Sequence, residues 1–285
     1  MTGMKIVHSP KCEEYGHGGQ AESPERVSRT RELLEREGFE FVEPEAASRE
    51  DVLTVHQEGL VEKVANHTLS LAGGSGSQTI YDYALLSVGG ALRAARFALD
   101  GQRALSLMRP PGHHASTNSY GGFCYLNNVA VAVQSALGEV ERVAIVDIDC
   151  HHGDGTEDIF SDRSEVLYVS LHQSGIYPGT GDESRDHIRN FPLPPGTDPD
   201  RYRETLDAAL EEVRSFEPEL IAVSAGFDTY KEDPLTSLGL EVETYHDIGS
   251  RLTRLGPPLF AALEGGYSDR LPDCVLSFLS GLTSE

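Results

Sequence analysis

Apolar residues in this chain gather into short runs separated by longer stretches with helical spacing. Six runs read as strands: residues 4–7, 104–108, 143–148, 166–171, 220–224 and 258–263. Uninterrupted apolar runs of this length are what a strand buried on both faces requires. Between them, helices are predicted at about 49–68, 79–99, 125–137, 199–216, 241–255 and 269–281. A further helix is predicted to start at Ser23-Pro24-Glu25-Arg26, with Ser at the N-cap and Pro at the first helical position.

Strands that alternate with helices predict an α/β fold: a mostly parallel sheet flanked by helices on both faces. The 285 residues show no internal repeat and no linker of domain-separating composition, so residues 1–285 are expected to form a single domain. The Gly/Ser stretch at 72–77 reads as a flexible loop, and 192–199 as a Pro/Gly-rich connection.

Composition narrows the partners. Forty-six acidic against 23 basic side chains leave a formal charge of −23, and only Lys5, Lys11, Lys63 and Lys231 are lysines. Such a surface repels nucleic-acid phosphates, so direct nucleic-acid binding is not expected. Cationic ligands are favoured instead. The cysteines at 12, 124, 150 and 274 have neither C-x-x-C nor zinc-finger spacing, which suits free thiols in a reducing compartment. No apolar run reaches 18 residues, and residues 1–7 are too short for a signal peptide. No membrane span and a cytoplasmic location are therefore expected.

The strand at 143–148 opens into the densest chemistry of the chain. Asp147, Asp149, His151, His152 and Asp154 fall within eight residues. Period-2 geometry would put Asp147, Asp149 and His151 on one face, an arrangement suited to a metal. Taking Asp149, His151 and Asp228 as donors leaves a coordination position open, as a catalytic site needs. Two carboxylates acidify bound water less than neutral imidazoles do, so a strong base is needed nearby. His113 and His114, on the Pro/Gly turn 109–114, supply candidates, and Asp147 and Asp154 could each hold a ring N–H. Tyr267, on a Gly-Gly turn, could donate to a developing oxyanion. All these residues follow predicted strands, at the carboxyl ends where open parallel sheets form their active crevice. Among the other histidines, His8, His17, His67, His187 and His246 read as surface or loop residues, and His152 as structural.

The sequence also resembles the zinc-dependent histone deacetylases, in particular their class II-like bacterial and archaeal branch with the arginase/deacetylase fold. The matching motifs are RPPGHHA (109–115), GGFCYLNNVAVA (121–132), DIDCHHGDGTEDIF (147–160), VSLHQ (169–173), YPGTG (177–181), SAGFD (224–228), DPL (233–235) and EGGY (264–267). The resemblance implies that Asp149, His151 and Asp228 bind Zn²⁺, with Fe²⁺ as the other candidate. His114, backed by Asp154, would act as general base and then acid, and His113, backed by Asp147, as its electrostatic partner. Tyr267 would polarise the acyl carbonyl. Gly122, Phe123, Tyr177 and Gly265 would line the substrate tunnel, and Asp147, Ser170 and Leu171 would hold a structural K⁺.

The implied activity is hydrolysis of an acetyl or similar acyl group from a lysine side chain of a peptide or protein. An N-acetylpolyamine or another small acylated amine is the alternative substrate. A binuclear manganese ureohydrolase would want a second acid at position 230, which is Tyr. A non-catalytic acyl-lysine reader would be expected to lack Tyr267, a ligand or the His pair.

Overall fold

The computed structural model describes residues 3–16, 20–67 and 79–284; His17 and the Gly/Ser stretch at 72–77 lie outside them. One sheet contains β1 (Lys5–Val7), β2 (Glu40–Val42), β3 (Ala104–Ser106), β4 (Val143–Asp147), β5 (Val166–Gln173), β6 (Ile188–Leu193), β7 (Leu220–Ala225) and β8 (Leu259–Leu263). The strands run in the order β2-β1-β3-β8-β7-β4-β5-β6, and every neighbouring pair is parallel. The helices are α1 (Glu25–Arg36), α2 (Arg49–Val52), α3 (Glu58–Ala65), α4 (Ile80–Leu99), α5 (Asn128–Ala136), α6 (Asp154–Phe160), α7 (Pro199–Phe216), α8 (Val242–Thr253) and α9 (Leu271–Thr283).

Alternation within each strand divides the core between the two faces of the sheet. Ala144 and Val146 of β4 pack with apolar residues of α1, α7, α8 and α9. Val143 and Ile145 face the other way, onto α4 and α5. Both faces are dry, which explains why the central strands carry no polar alternation.

The six expected strands are present with shifts of a few residues at their ends. Two others, β2 and β6, were not expected. Both are edge strands with partly exposed residues, so neither needs an uninterrupted apolar run. Pro192, read as part of a connection, lies in β6, and an edge position tolerates a residue with no N–H. The short helix α6 was also unexpected. The first helix begins at Glu25 rather than Pro24, with no side-chain cap from Ser23.

The helix expected over 49–68 is broken into α2 and α3. Ser48 caps α2 through a reciprocal pair with Asp51, while the Gln57 N–H turns away to the Thr117 carbonyl at 2.8 Å. The break buries His56. Its Nδ1 lies 2.8 Å from the Ser116 carbonyl, and the Asn127 N–H donates to its Nε2 at 2.9 Å. One ring nitrogen must donate and the other accept, which fixes the neutral tautomer. His8, read as a surface or loop residue, lies in the loop after β1 and is likewise buried. Its Nδ1 bonds the Leu107 carbonyl at 2.8 Å and its Nε2 meets Glu13 at 3.0 Å.

Burial lowers the His56 pKa from 6.5 to about 4, partly opposed by the Ser116 carbonyl. Its folded pKa lies below its unfolded one, so its contribution to stability is complete above pH 6.5 and declines as pH falls toward 4. We expect the wild-type advantage in unfolding free energy over His56→Gln to shrink by about 3 kcal/mol between pH 7 and pH 4, measured by urea denaturation. A constant difference across that window would show that His56 is not buried neutral.

Candidate active site

Because β3, β8, β7 and β4 are adjacent, the loops at their carboxyl ends meet although they lie far apart in sequence. The loop after β3 carries His113 and His114; that after β4 carries Asp149 and His151. Asp228 follows β7, and Glu264 to Tyr267 follow β8. Strand β4 ends at Asp147, so the loop rather than strand alternation places Asp149 and His151.

Asp149, His151 and Asp228 converge, each offering one ligand atom within 4.8 Å of the others. His151 Nδ1 lies 3.1 Å from Asp149 Oδ1 and 3.0 Å from Asp228 Oδ2. The remaining carboxylate oxygens are fixed by the backbone. Gly265 N–H donates to Asp149 Oδ2 at 2.7 Å, and Cys150 N–H to Asp228 Oδ1 at 2.8 Å. Asp228 Oδ2 is fully buried and lacks a hydrogen bond of proper alignment. Burial and the neighbouring Asp149 charge push the Asp228 carboxyl above its ordinary pKa. A buried acceptor left unsatisfied is costly. A cation between the two carboxylates would relieve both the orphan oxygen and the repulsion, so this donor set fits a divalent metal.

The centre is walled by backbone. A Cβ at Gly226 would stand 2.2 Å from Asp149 Oδ2, and one at Gly265 would stand 2.3 Å from Asp228 Oδ2. No other residue fits either position without moving a carboxylate.

The two imidazoles beside the centre have different surroundings. His113 Nδ1 pairs with Asp147 Oδ2 at 3.1 Å, and its Nε2 lies 3.9 Å from Asp149 Oδ1. Asp147 also accepts from Tyr168 O–H and from Asp149 N–H. Burial works against charge on His113, but Asp149 and Asp147 outweigh it and hold the pKa well above 6.5. His114 Nδ1 pairs with Asp154 at 2.7 Å. Burial, reinforced by the His113 charge, lowers the His114 pKa to about 4. The rings are 4.0 Å apart, and one proton is therefore shared out unequally: His113 holds it and His114 stays neutral.

These groups form the floor of a cavity of about 320 Å³. Its walls are Pro111, Gly122, Phe123, Tyr177 and Leu235, with Tyr267 and Gly265 beside the floor. Phe123, Tyr177 and Leu235 are exposed at 40%, 51% and 44%, unusual for large apolar side chains unless something covers them. Gly122 has φ +55°, and a Cβ there would sit 2.4 Å from the His114 ring. Phe123 also has a positive φ, 66°, a strained conformation for an aromatic residue. Burial raises the Tyr267 pKa well above 10, so it keeps its phenolic proton.

Residues 20–282 match the histone deacetylase domain family. The chain belongs to the histone deacetylase family. It is 41% identical to a probable deacetylase of Archaeoglobus fulgidus, over 94% of this chain and 82% of that one. It is 36% identical to a histone deacetylase-like amidohydrolase of Pseudomonas aeruginosa, over 93% of this chain and 78% of that one. The crystal structure of the acetylpolyamine aminohydrolase from Burkholderia pseudomallei superposes with a TM-score of 0.86 at 29% identity, covering 98% of each chain. This member of the histone deacetylase family is thus a hydrolase of amide bonds with the deacetylase fold.

The structure brings every proposed catalytic, metal and tunnel residue to this end of the sheet. Ser170 and Leu171 lie in β5, where Ser170 is paired with Asp147 of β4. His152, read as structural, is buried between Thr180 and Glu157. Other residues of this histone deacetylase-family site were given no role from sequence. Arg26 donates to the Gly266 carbonyl at 2.7 Å, and its guanidinium lies 4.7 Å from the centre of the Tyr267 ring. Asp233 accepts the Tyr267 N–H at 2.7 Å and the Leu235 N–H at 3.0 Å, so it ties the phenol to the rim. Asp233 and Leu235 stand in the DPL motif, but that signal does not reveal a bond across 34 residues.

Gly265→Ala is expected to displace the Asp149 and Asp228 carboxylates, because the new methyl group has no free volume. Divalent-metal affinity, measured by competition with a chromophoric chelator, should fall by about tenfold or more, with the far-ultraviolet circular dichroism unchanged. Unaltered affinity would show that these two carboxylates do not hold the metal.

Proposed function

We propose that the protein is a zinc-dependent amidohydrolase that removes acetyl or similar acyl groups from lysine side chains. The observation that carries this reading is the three-donor centre with its orphan Asp228 oxygen, set beside two carboxylate-backed imidazoles and a phenol on the floor of an apolar-walled cavity. Asp149, His151 and Asp228 would hold the ion, with Zn²⁺ favoured and Fe²⁺ also suited to this donor set. When bound, such an ion supplies Lewis acidity toward the acyl carbonyl and lowers the pKa of water.

The chain's own residues account for the proton movements. His114 has Nδ1 committed to Asp154, so Nε2 is the nitrogen free to work. Neutral at pH 7, it accepts a proton from water as the water oxygen attacks the acyl carbon. It then returns that proton to the amine nitrogen as the C–N bond breaks. Negative charge on the carbonyl oxygen is met by the Tyr267 O–H, and His113 contributes a positive field from the floor. The walls formed by Gly122, Phe123 and Tyr177 suit the methylene stem of lysine, at about 0.8 kcal/mol for each buried methylene. Gly265 completes the tunnel at its floor.

The same geometry would serve an N-acetylpolyamine, whose acylated end is likewise a secondary amide on a methylene stem. The family relationship to an acetylpolyamine aminohydrolase keeps that reading open. A potassium ion near Asp147, Ser170 and Leu171 is also part of the proposal, supported by the Asp147–Ser170 register. One sheet with continuous cores supports treating residues 1–285 as one catalytic domain. Four buried free thiols fit a reducing, cytoplasmic location.

Tyr267→Phe is expected to lower turnover by about a hundredfold or more while metal content stays at the wild-type value, since the phenol acts only on the transition state. Parallel loss of metal and turnover would refute that role. His114→Ala should lower turnover by about two orders of magnitude or more with metal retained, and near-normal turnover would exclude it as the base. Acetate release from an acetyl-lysine peptide and from an acetylated polyamine, measured side by side, decides the substrate class. Faster release from the peptide supports lysine deacetylation, faster release from the polyamine moves the substrate, and no release from either excludes acetyl as the group removed.

A further inference from the structure

Next to the Asp149–His151–Asp228 centre lies a second group of donors that shares none of its residues. A ring nitrogen of His113, the Cys124 Sγ and a carboxylate oxygen of Glu264 all fall within 4.8 Å of one another. All three residues are buried, Cys124 and Glu264 almost completely. His113 and Glu264 each have one polar atom tied down and one left over. His113 Nδ1 is held by Asp147, while Nε2, 3.9 Å from Asp149 Oδ1, makes no hydrogen bond. Glu264 Oε2 accepts the N–H groups of Gly112 at 2.7 Å and His113 at 3.1 Å, which leaves Oε1 buried with no partner. Cys124 Sγ makes a contact of 3.4 Å to the Gly122 carbonyl.

Imidazole, carboxylate and thiol braced from behind are how proteins orient ligands toward a metal. A sulfur in the set selects Zn²⁺, Co²⁺ or Cd²⁺ over Mg²⁺ or Ca²⁺. We propose that His113, Cys124 and Glu264 form a second, weaker site for a thiophilic divalent cation, and that filling it inhibits the enzyme by capturing His113. The cation would enter through the cavity, which His113 lines. Binding exchanges protons for metal: the Cys124 thiol gives up its proton to solvent, and so do His113 and Glu264 where they carry one. A thiol must lose its proton before it can bind a metal, so this site fills after the first. The inhibitory half of the proposal rests on the hydrolytic reading above; the binding half does not.

Cobalt separates the two sites, because only the second contains sulfur and can show a thiolate-to-Co²⁺ charge-transfer band in the near ultraviolet. Protein loaded with one equivalent of Co²⁺ should lack the band. Further Co²⁺ should bring it up while turnover falls by about tenfold or more, as expected when a group that stabilises transition-state charge is lost. Cys124→Ser should show no band, retain its one-equivalent turnover and resist excess Co²⁺. Glu264→Gln should keep the band but need about tenfold more Co²⁺ to develop it. A missing band in the wild type, or one that survives Cys124→Ser, overturns the site. A band that rises with no loss of turnover overturns the inhibition. The band is read without substrate, so a protein that binds cobalt this way yet hydrolyses nothing refutes the hydrolytic reading instead.

Discussion

Buried negative charge is the constraint around which this structure is built. Asp147, Asp149, Asp228 and Glu264 are all wholly withdrawn from water at one end of the sheet. An isolated carboxylate in such a place is prohibitively unstable, so each must be matched by donors or positive charge. The backbone does much of this work: N–H groups of Gly112, His113, Asp149, Cys150, His151 and Gly265 all point at carboxylate oxygens. Those amides lie in loops after different strands, and only the adjacency of β3, β8, β7 and β4 lets them meet. Two oxygens remain unmatched, Asp228 Oδ2 and Glu264 Oε1, and the first marks where a cation fits between two carboxylates.

The same field differentiates two imidazoles that are adjacent in sequence. His113 sits against Asp147 and Asp149 and is held positive; His114, a residue away, is held neutral by burial and by the charge of its neighbour. A neutral acceptor beside a positive charge suits the proposed hydrolysis, in which one group takes a proton while negative charge builds up nearby. The rigid support extends outward. Arg109, at the start of the same loop, is completely buried and grips Glu22 through two bonds of 2.5 and 2.7 Å. Removing one partner from such a pair costs about 3–5 kcal/mol, so the His loop is anchored to the N-terminal segment as well as to the sheet.

Legibility differed between the layers of the structure. Central strands were readable because a strand dry on both faces must be continuously apolar, and Val143–Asp147 and Leu220–Ala225 appear almost where the pattern put them. The edge strands β2 and β6 were not, because a half-wet strand can carry Glu40, Arg189 or Pro192. The break between α2 and α3 was hidden for another reason. Residues 49–65 keep an amphipathic pattern throughout, and it is the pair of bonds from His56 to Ser116 and Asn127 that diverts the chain. The burial of His8 in its loop was hidden in the same way, since a histidine whose two nitrogens both find partners can be buried wherever the fold supplies them.

By itself the sequence singled out the residues proposed to carry the chemistry and put them at strand ends, because polar groups clustered after apolar runs have few other places to go. It determined the layered parallel architecture through the same runs. Tertiary structure alone decided how those groups are charged and what supports them. The split between His113 and His114, the orphan oxygen of Asp228 and the bond from Asp233 to Tyr267 all depend on distances across tens of residues. Electrostatic energy varies inversely with separation and with local dielectric, and neither quantity is written in the order of residues along a chain.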